Sequence, residues 1–239
     1  MIFTILFLIY LSFSFIFLCP FGVIAMVFSF LGAKKSMAYV VYKIAQGWAW
    51  MLLKITGSEL TVAGKENIPK DEGVCFVSNH EGYFDIVLLF VCCGRPIGFI
   101  AKKELLLIPF LNMWIYMVGG LFIDRGNIRK AVRTINKGVE KIKSGGGMII
   151  FPEGHRSKGR GIQPFHPGSL KLATMAEAPI VPVVLEGSYN VFEKTGRVTG
   201  TALKVTFCEP VETKNLPQGD RKLILSDRIH SIIKEKLDK

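Results

Sequence analysis

Val74-Cys75-Phe76-Val77-Ser78-Asn79-His80-Glu81-Gly82-Tyr83-Phe84-Asp85 is the stretch that decides the fold. Val74 to Ser78 is a short run rich in β-branched and aromatic residues, the composition of a strand. Gly82 supplies a turn, and a helical pattern fills Tyr83 to Val91. Outward from this unit the alternation continues in both directions. Strands are expected at Glu59 to Ala63, Ile97 to Ala101, Leu121 to Asp124, Met148 to Phe151, Ile180 to Leu185 and Leu203 to Cys208. Helices are expected at Pro109 to Val118, Ile128 to Ser144, Ser169 to Ala176 and Asp220 to Leu237. Short strands separated by longer helices predict an α/β fold, a central mixed sheet flanked by helices. Gly145-Gly146-Gly147 reads as a helix stop before a buried strand.

The 239 residues carry 30 Lys+Arg against 19 Asp+Glu, a net charge of +11, yet none of these charges falls in the first 33 residues. Of those 33, 26 are apolar, and eight of the 18 Phe lie among them. This pattern excludes a disordered chain, a fibrous rod and a transporter with many spans. The division it predicts is a membrane-anchoring helical segment over 1–57 and an α/β domain over 58–239. A cleaved signal is not expected, because there is no basic start and the apolar run is too long. Fully helical, the run exceeds the roughly 30 Å bilayer core, so it must tilt or break, and Pro20 with Gly22 marks the expected break. Met37 to Ile55, with Lys43, Lys54, Trp48 and Trp50, reads as an interfacial helix, with a core helix of the domain as the alternative. Lys34 and Lys35 after the apolar run place the domain on the cytoplasmic side of the membrane. Five cysteines without C-x-x-C spacing indicate neither a disulfide framework nor a zinc ribbon, and fit a reducing compartment.

Reactive groups in α/β proteins collect where a strand opens into a turn and a helix. His80 stands there, carrying the one side chain that ordinarily changes charge near neutral pH. A general base needs an acceptor to set its tautomer, and Asp85 is within reach at the start of the next helix. Without a partner such a pair is also an ordinary turn residue beside a helix-start carboxylate. No G-x-S-x-G elbow, no Cys beside a His and no H-E-x-x-H motif supplies a protein nucleophile or a metal site. A substrate hydroxyl is then the nucleophile, which points to direct group transfer. Phe151-Pro152-Glu153-Gly154-His155-Arg156-Ser157-Lys158-Gly159-Arg160 opens a basic, glycine-bearing loop suited to phosphate. Arg125 at the end of Gly119 to Arg125, and Lys102 past the preceding strand, extend the same logic. No nucleic-acid-binding signature accompanies these cations.

In this order the blocks resemble the glycerolipid acyltransferases typified by 1-acyl-sn-glycerol-3-phosphate acyltransferase. Asn79-His80 through Asp85 is similar to the N-H-x-x-x-x-D block, Leu121 to Arg125 to the second, Phe151-Pro152-Glu153-Gly154 to the third and Ile180-Val181-Pro182-Val183 to the fourth. Lys102-Lys103-Glu104-Leu105 with Pro109 is similar to the K-x-E-L segment between the first two, and His155 departs from the threonine common after the third. The resemblance implies acyl transfer from acyl-CoA or acyl-carrier protein to the 2-hydroxyl of lysophosphatidic acid at a phospholipid bilayer. His80 is then the base, oriented by Asp85, with no acyl-enzyme intermediate, no metal and no organic cofactor. Lys102 and Arg125 hold the acceptor's phosphate, Glu153, Gly154 and Arg156 shape that site, and the block around Pro182 lines the acyl or catalytic pocket. Another lysolipid or glycerol-3-phosphate as acceptor is compatible with the same pair, and a non-catalytic lipid-binding protein is the alternative outside enzymes.

Overall fold

The computed structural model describes residues 2–166, 168–214 and 224–238. The expected sheet is present, with seven strands: β1 (Glu59–Ala63), β2 (Val74–Ser78), β3 (Ile97–Lys102), β4 (Leu121–Ile123), β5 (Gly147–Ile150), β6 (Ile180–Glu186) and β7 (Ala202–Phe207). They lie in the order β1-β7-β6-β2-β5-β3-β4. Only β6 and β7 run antiparallel, so the sheet is mixed.

Every residue of β2 is buried, because helices cover both faces of the sheet. Alternation along the strand divides it between two cores. Val74 and Phe76 pack with α2 (Lys34–Thr56) and α3 (Phe84–Cys92) on one face. Cys75 and Val77 pack on the other with α5 (Ile128–Lys143), α6 (Lys171–Ala176) and α8 (Ile224–Leu237). The expected start of the last helix, residues 220–223, lies outside the described residues. Pro182 is tolerated inside β6, and its carbonyl accepts from Cys208 N–H at 2.8 Å. Gly145, at φ +89°, ends α5 in the left-handed backbone as expected of the glycine run. Cys75, Cys92, Cys93 and Cys208 are free, buried thiols.

The N-terminal segment departs from expectation. α1 (Ile2–Phe30) continues through Pro20 with no break. A missing proline donor costs one backbone bond, which a long apolar helix absorbs when its neighbours are packed. Gly22 has a different use: a Cβ there would sit 2.2 Å from Met117 Sδ, so the glycine lets α1 approach α4 (Leu111–Met117) closely. Residues 2–24 of α1 are long and apolar enough to cross a membrane. One side of α1 docks on the rest of the fold, with Phe7 against Phe84 (5.7 Å between ring centres) and Trp48 Nε1 donating to Ser14 Oγ at 2.9 Å. α2 buries Tyr42, Ala45, Ala49, Leu52 and Leu53 in the main core and turns Trp50 outward under Lys54, 4.7 Å from the ring centre. It is thus a core helix on one face and an aromatic-cationic stripe on the other, with Trp48 turned towards α1.

Five adjacent strands, β6, β2, β5, β3 and β4, run parallel, so their C-terminal ends share one edge of the sheet. His80 follows β2, Phe151 follows β5, Arg125 follows β4, Lys102 ends β3 and Ser188 follows β6. Topology alone therefore gathers five distant segments into one place.

Candidate active site

Asn79 anchors the first loop. Its side chain donates to Leu185 C=O (2.8 Å) and accepts from Leu185 N–H (2.9 Å), extending the β2–β6 pairing by one residue through an amide group. His80 is then presented at the sheet edge, its ring stacked on Phe151 with 4.0 Å between centres. Its Nδ1 lies 2.6 Å from Asp85 Oδ2. The Asp85 side chain is fully buried, while 19% of the His80 side chain stays accessible. Asp85 Oδ2 also accepts Gly82 N–H at 3.0 Å, and Oδ1 accepts the Ser188 hydroxyl. With its Nδ1 facing a carboxylate, the imidazole presents Nε2 as the lone-pair nitrogen, the tautomer a general base requires.

Glu153 does not reach outward to a ligand. It is wholly buried, and its carboxylate accepts His80 N–H at 2.7 Å and Gln163 N–H at 3.0 Å. Burial pushes its carboxyl above the usual range, partly offset by those two donors. The same loop is tied to the first by Ser157 N–H to His80 C=O (2.7 Å) and Lys158 N–H to Glu81 C=O (3.2 Å). Glu153 is thus a strut that holds the backbone of His80. Arg156 is likewise engaged, by Glu193 at 2.5 Å and by the Tyr83 ring at 3.8 Å from its centre. Glu193 Oε2 in turn accepts Tyr83 N–H at 2.7 Å, closing a clamp over the start of α3.

The remaining cations stand at the rim. Arg125 is exposed, and its Nη1 donates to Gly154 C=O at 3.0 Å. Gly154 has φ +73°, and a Cβ there would lie 2.8 Å from both Arg125 Nη1 and His166 Cδ2. The glycine thus keeps a narrow opening between a guanidinium and an imidazole. Lys102 is exposed at the end of β3, opposite Ile123, whereas its neighbour Lys103 pairs with Asp124 at 2.9 Å. His155 is exposed. On the α1 side lies an apolar pocket walled by α1, α2, α3, β3 and α4 through Leu18, Trp48, Ile86, Phe99 and Trp114 among others.

A family model described as Acyltransferase matches residues 59–186, more than half of the chain. The chain belongs to the acyltransferase family. It is 34% identical over 142 residues to the 1-acyl-sn-glycerol-3-phosphate acyltransferase of Borreliella burgdorferi, covering 59% of this chain and 57% of that one. To the enzyme of the same name from Saccharomyces cerevisiae it is 32% identical over 200 residues, 82% of this chain and 65% of that one. The matched region therefore spans less than two thirds of the length of either relative. The crystal structure of the 1-acyl-sn-glycerophosphate (LPA) acyltransferase PlsC from Thermotoga maritima superposes with a TM-score of 0.78 at 28% identity, covering 98% of this chain and 95% of that one.

In this member of the family the sequence blocks play unequal parts. The block around Pro182 is a buried strand of the sheet, and what it delivers to the site is the residue after Gly187, the Asp85 partner Ser188. Ser188, Glu193 and His166 carry no signal in the linear sequence: the first two reach the site through strand order, and His166 through the fold of its own loop, where its N–H donates to Pro152 C=O at 2.9 Å. Glu81 is the other unforeseen group. Burial beside Asp85 pushes its carboxyl up to about 7, although backbone N–H groups of Gly187, Ser188 and Tyr189 favour its charge.

Proposed function

We propose that the protein transfers a fatty acyl group from an acyl-CoA or acyl-carrier-protein thioester to the 2-hydroxyl of lysophosphatidic acid, forming phosphatidic acid. The observation that carries this reading is the 2.6 Å contact between His80 Nδ1 and the fully buried Asp85, with the ring still partly accessible. Nε2 of His80 takes the proton of the acceptor hydroxyl as its oxygen attacks the thioester carbonyl. The new C–O bond forms, the C–S bond breaks, and the imidazolium returns its proton to the departing thiolate. Asp85 stabilises that imidazolium without itself becoming protonated. No acyl-enzyme is formed, because the base acts on the substrate's own oxygen.

Arg125 and Lys102, exposed at the ends of neighbouring strands, take the acceptor's phosphate, with Gly154 leaving room for it. Glu153 and Arg156 serve that site indirectly, holding the loop in shape through His80 N–H and Glu193. The apolar cavity beside α1 suits an acyl chain, since burial of each methylene contributes about 0.8 kcal/mol. α1 holds the domain at a membrane, on the cytoplasmic side where Lys34 and Lys35 follow the apolar run. The lipid acceptor then reaches the base from the bilayer.

The test is incubation of the purified protein with radiolabelled acyl-CoA or acyl-carrier protein and a panel of lysophosphatidic acid, other lysophospholipids and glycerol-3-phosphate, followed by lipid separation. Labelled phosphatidic acid from lysophosphatidic acid, lost in His80→Ala, is expected. Preferential labelling of another acceptor reassigns the substrate, and turnover that survives His80→Ala removes the mechanism.

A further inference from the structure

From Leu105 to Phe110 the chain reads Leu-Leu-Leu-Ile-Pro-Phe, six apolar residues in a row at the edge strand of the sheet. They do not fold inward. Leu107 is 84% exposed, and Leu106, Ile108 and Phe110 are each close to half exposed. The first residues form a 3₁₀ turn over Lys103–Leu107, and Phe110 takes φ +64°, a backbone conformation that L residues rarely adopt. Ile128 and Val132, one turn apart on α5, are exposed as well, Ile128 at 80%. Large apolar side chains left uncovered in this number mark an interaction site.

We propose that this lip, with the first turns of α5, rests in the surface of an anionic lipid bilayer as a second contact beside α1. Three observations choose a bilayer as the occupant. The lip lies next to α1 in space: α4 follows it directly, and the end of α4 meets α1 where Gly22 accommodates Met117. α1 itself turns Phe17, Phe21 and Ile24 outward, each more than half exposed, so the apolar surface continues from one element to the other. The backbone of the lip is closed on itself, with Ile108 N–H donating to Leu105 C=O (3.3 Å) and the Asn112 side chain to Leu106 C=O (2.8 Å). A segment so satisfied enters an apolar medium without stranding polar groups. Finally, between residues 102 and 133 there are six cations, Lys102, Lys103, Arg125, Arg129, Lys130 and Arg133, against two acids, Glu104 and Asp124. Cations around an apolar patch complement anionic headgroups. Lys102 and Arg125 flank the lip, so seating it at the interface brings the proposed phosphate site to headgroup level.

The test places a single nitrobenzoxadiazole label at Leu107→Cys, at Phe110→Cys and at Glu235→Cys in the full chain. Glu235 is exposed on α8, which covers the opposite face of the sheet from α1. Each protein is reconstituted in vesicles of phosphatidylethanolamine and phosphatidylglycerol, with and without brominated acyl chains. Blue-shifted emission and bromine quenching at 107 and 110, with neither at 235, are expected. Water-like emission at both lip positions overturns the proposal, and so does a blue shift that bromine does not quench, since the lip is then covered by protein such as a second copy. Undiminished quenching when phosphatidylcholine is the sole lipid removes the role given to the cations. The readout needs no turnover, so it stands apart from the acyl transfer proposed above.

Discussion

Asp85→Asn isolates the part of the mechanism that depends on charge. Asparagine is nearly isosteric with aspartate and can keep the hydrogen bonds: its oxygen takes the place of Oδ2, accepting from His80 Nδ1–H and Gly82 N–H, and its NH2 donates to Ser188 Oγ. What is lost is the negative charge facing the imidazolium as it forms. With 2.6 Å between nitrogen and oxygen, the charge centres lie roughly 4 Å apart. At an effective dielectric constant near 20, that separation is worth about 4 kcal/mol. At about 1.4 kcal/mol per decade, kcat should fall by roughly 10³. The acceptor's KM should move by no more than about threefold, because Asp85 is fully buried and makes no contact with substrate. Initial rates with labelled acyl-CoA across a lysophosphatidic acid titration check this, beside a thermal melt to show that the variant is folded. A folded variant within tenfold of the parent in kcat, or one that loses activity through KM alone, refutes the role assigned to the pair.

Glu81→Gln should stabilise the fold at high pH. A carboxyl raised from 4.5 to about 7 gives stability that is complete below pH 4.5 and lost as the pH climbs through 7, a difference of about 3 kcal/mol at most. Melting curves should therefore show the variant above the parent at pH 8, with the gap closing at pH 5; a gap independent of pH contradicts the assignment. Asn79→Ala strands the buried C=O and N–H of Leu185, costing about 2 to 4 kcal/mol, and a chain of this size should melt roughly 5 to 15 °C lower. Gly154→Ala places a methyl group against Arg125 and His166 in a left-handed backbone and should raise the KM for lysophosphatidic acid more than it lowers kcat. An unchanged KM in an acceptor titration counts against the phosphate site.

All seven strands were legible in the linear chain to within a residue or two at each end, because buried strands must be short and apolar whatever surrounds them. His80 and Asp85 were legible for a related reason: five residues across a turn is a local distance, set by the chain itself. Pro20 was misread. A proline announces the loss of a donor, but whether a helix breaks there depends on what packs beside it, and Gly22 shows that α1 is packed. That Glu153 and Arg156 belong to one loop was legible, but their partners, the backbone N–H of His80 and the carboxylate of Glu193, were not, since a charged residue in a loop looks the same in sequence whatever it meets.

By itself, the order of residues determined the α/β class, the apolar N-terminal helix and the pairing of His80 with Asp85. Tertiary structure alone decided that Ser188 completes the hydrogen bonds of Asp85, that Glu153 holds the backbone of His80, and that Arg125 faces His166 across Gly154. The physical reason is the range of the forces. Periodicity and turn chemistry act over a few residues, whereas contacts across 103 and 73 positions exist only once parallel strands have brought their C-terminal ends to a common edge.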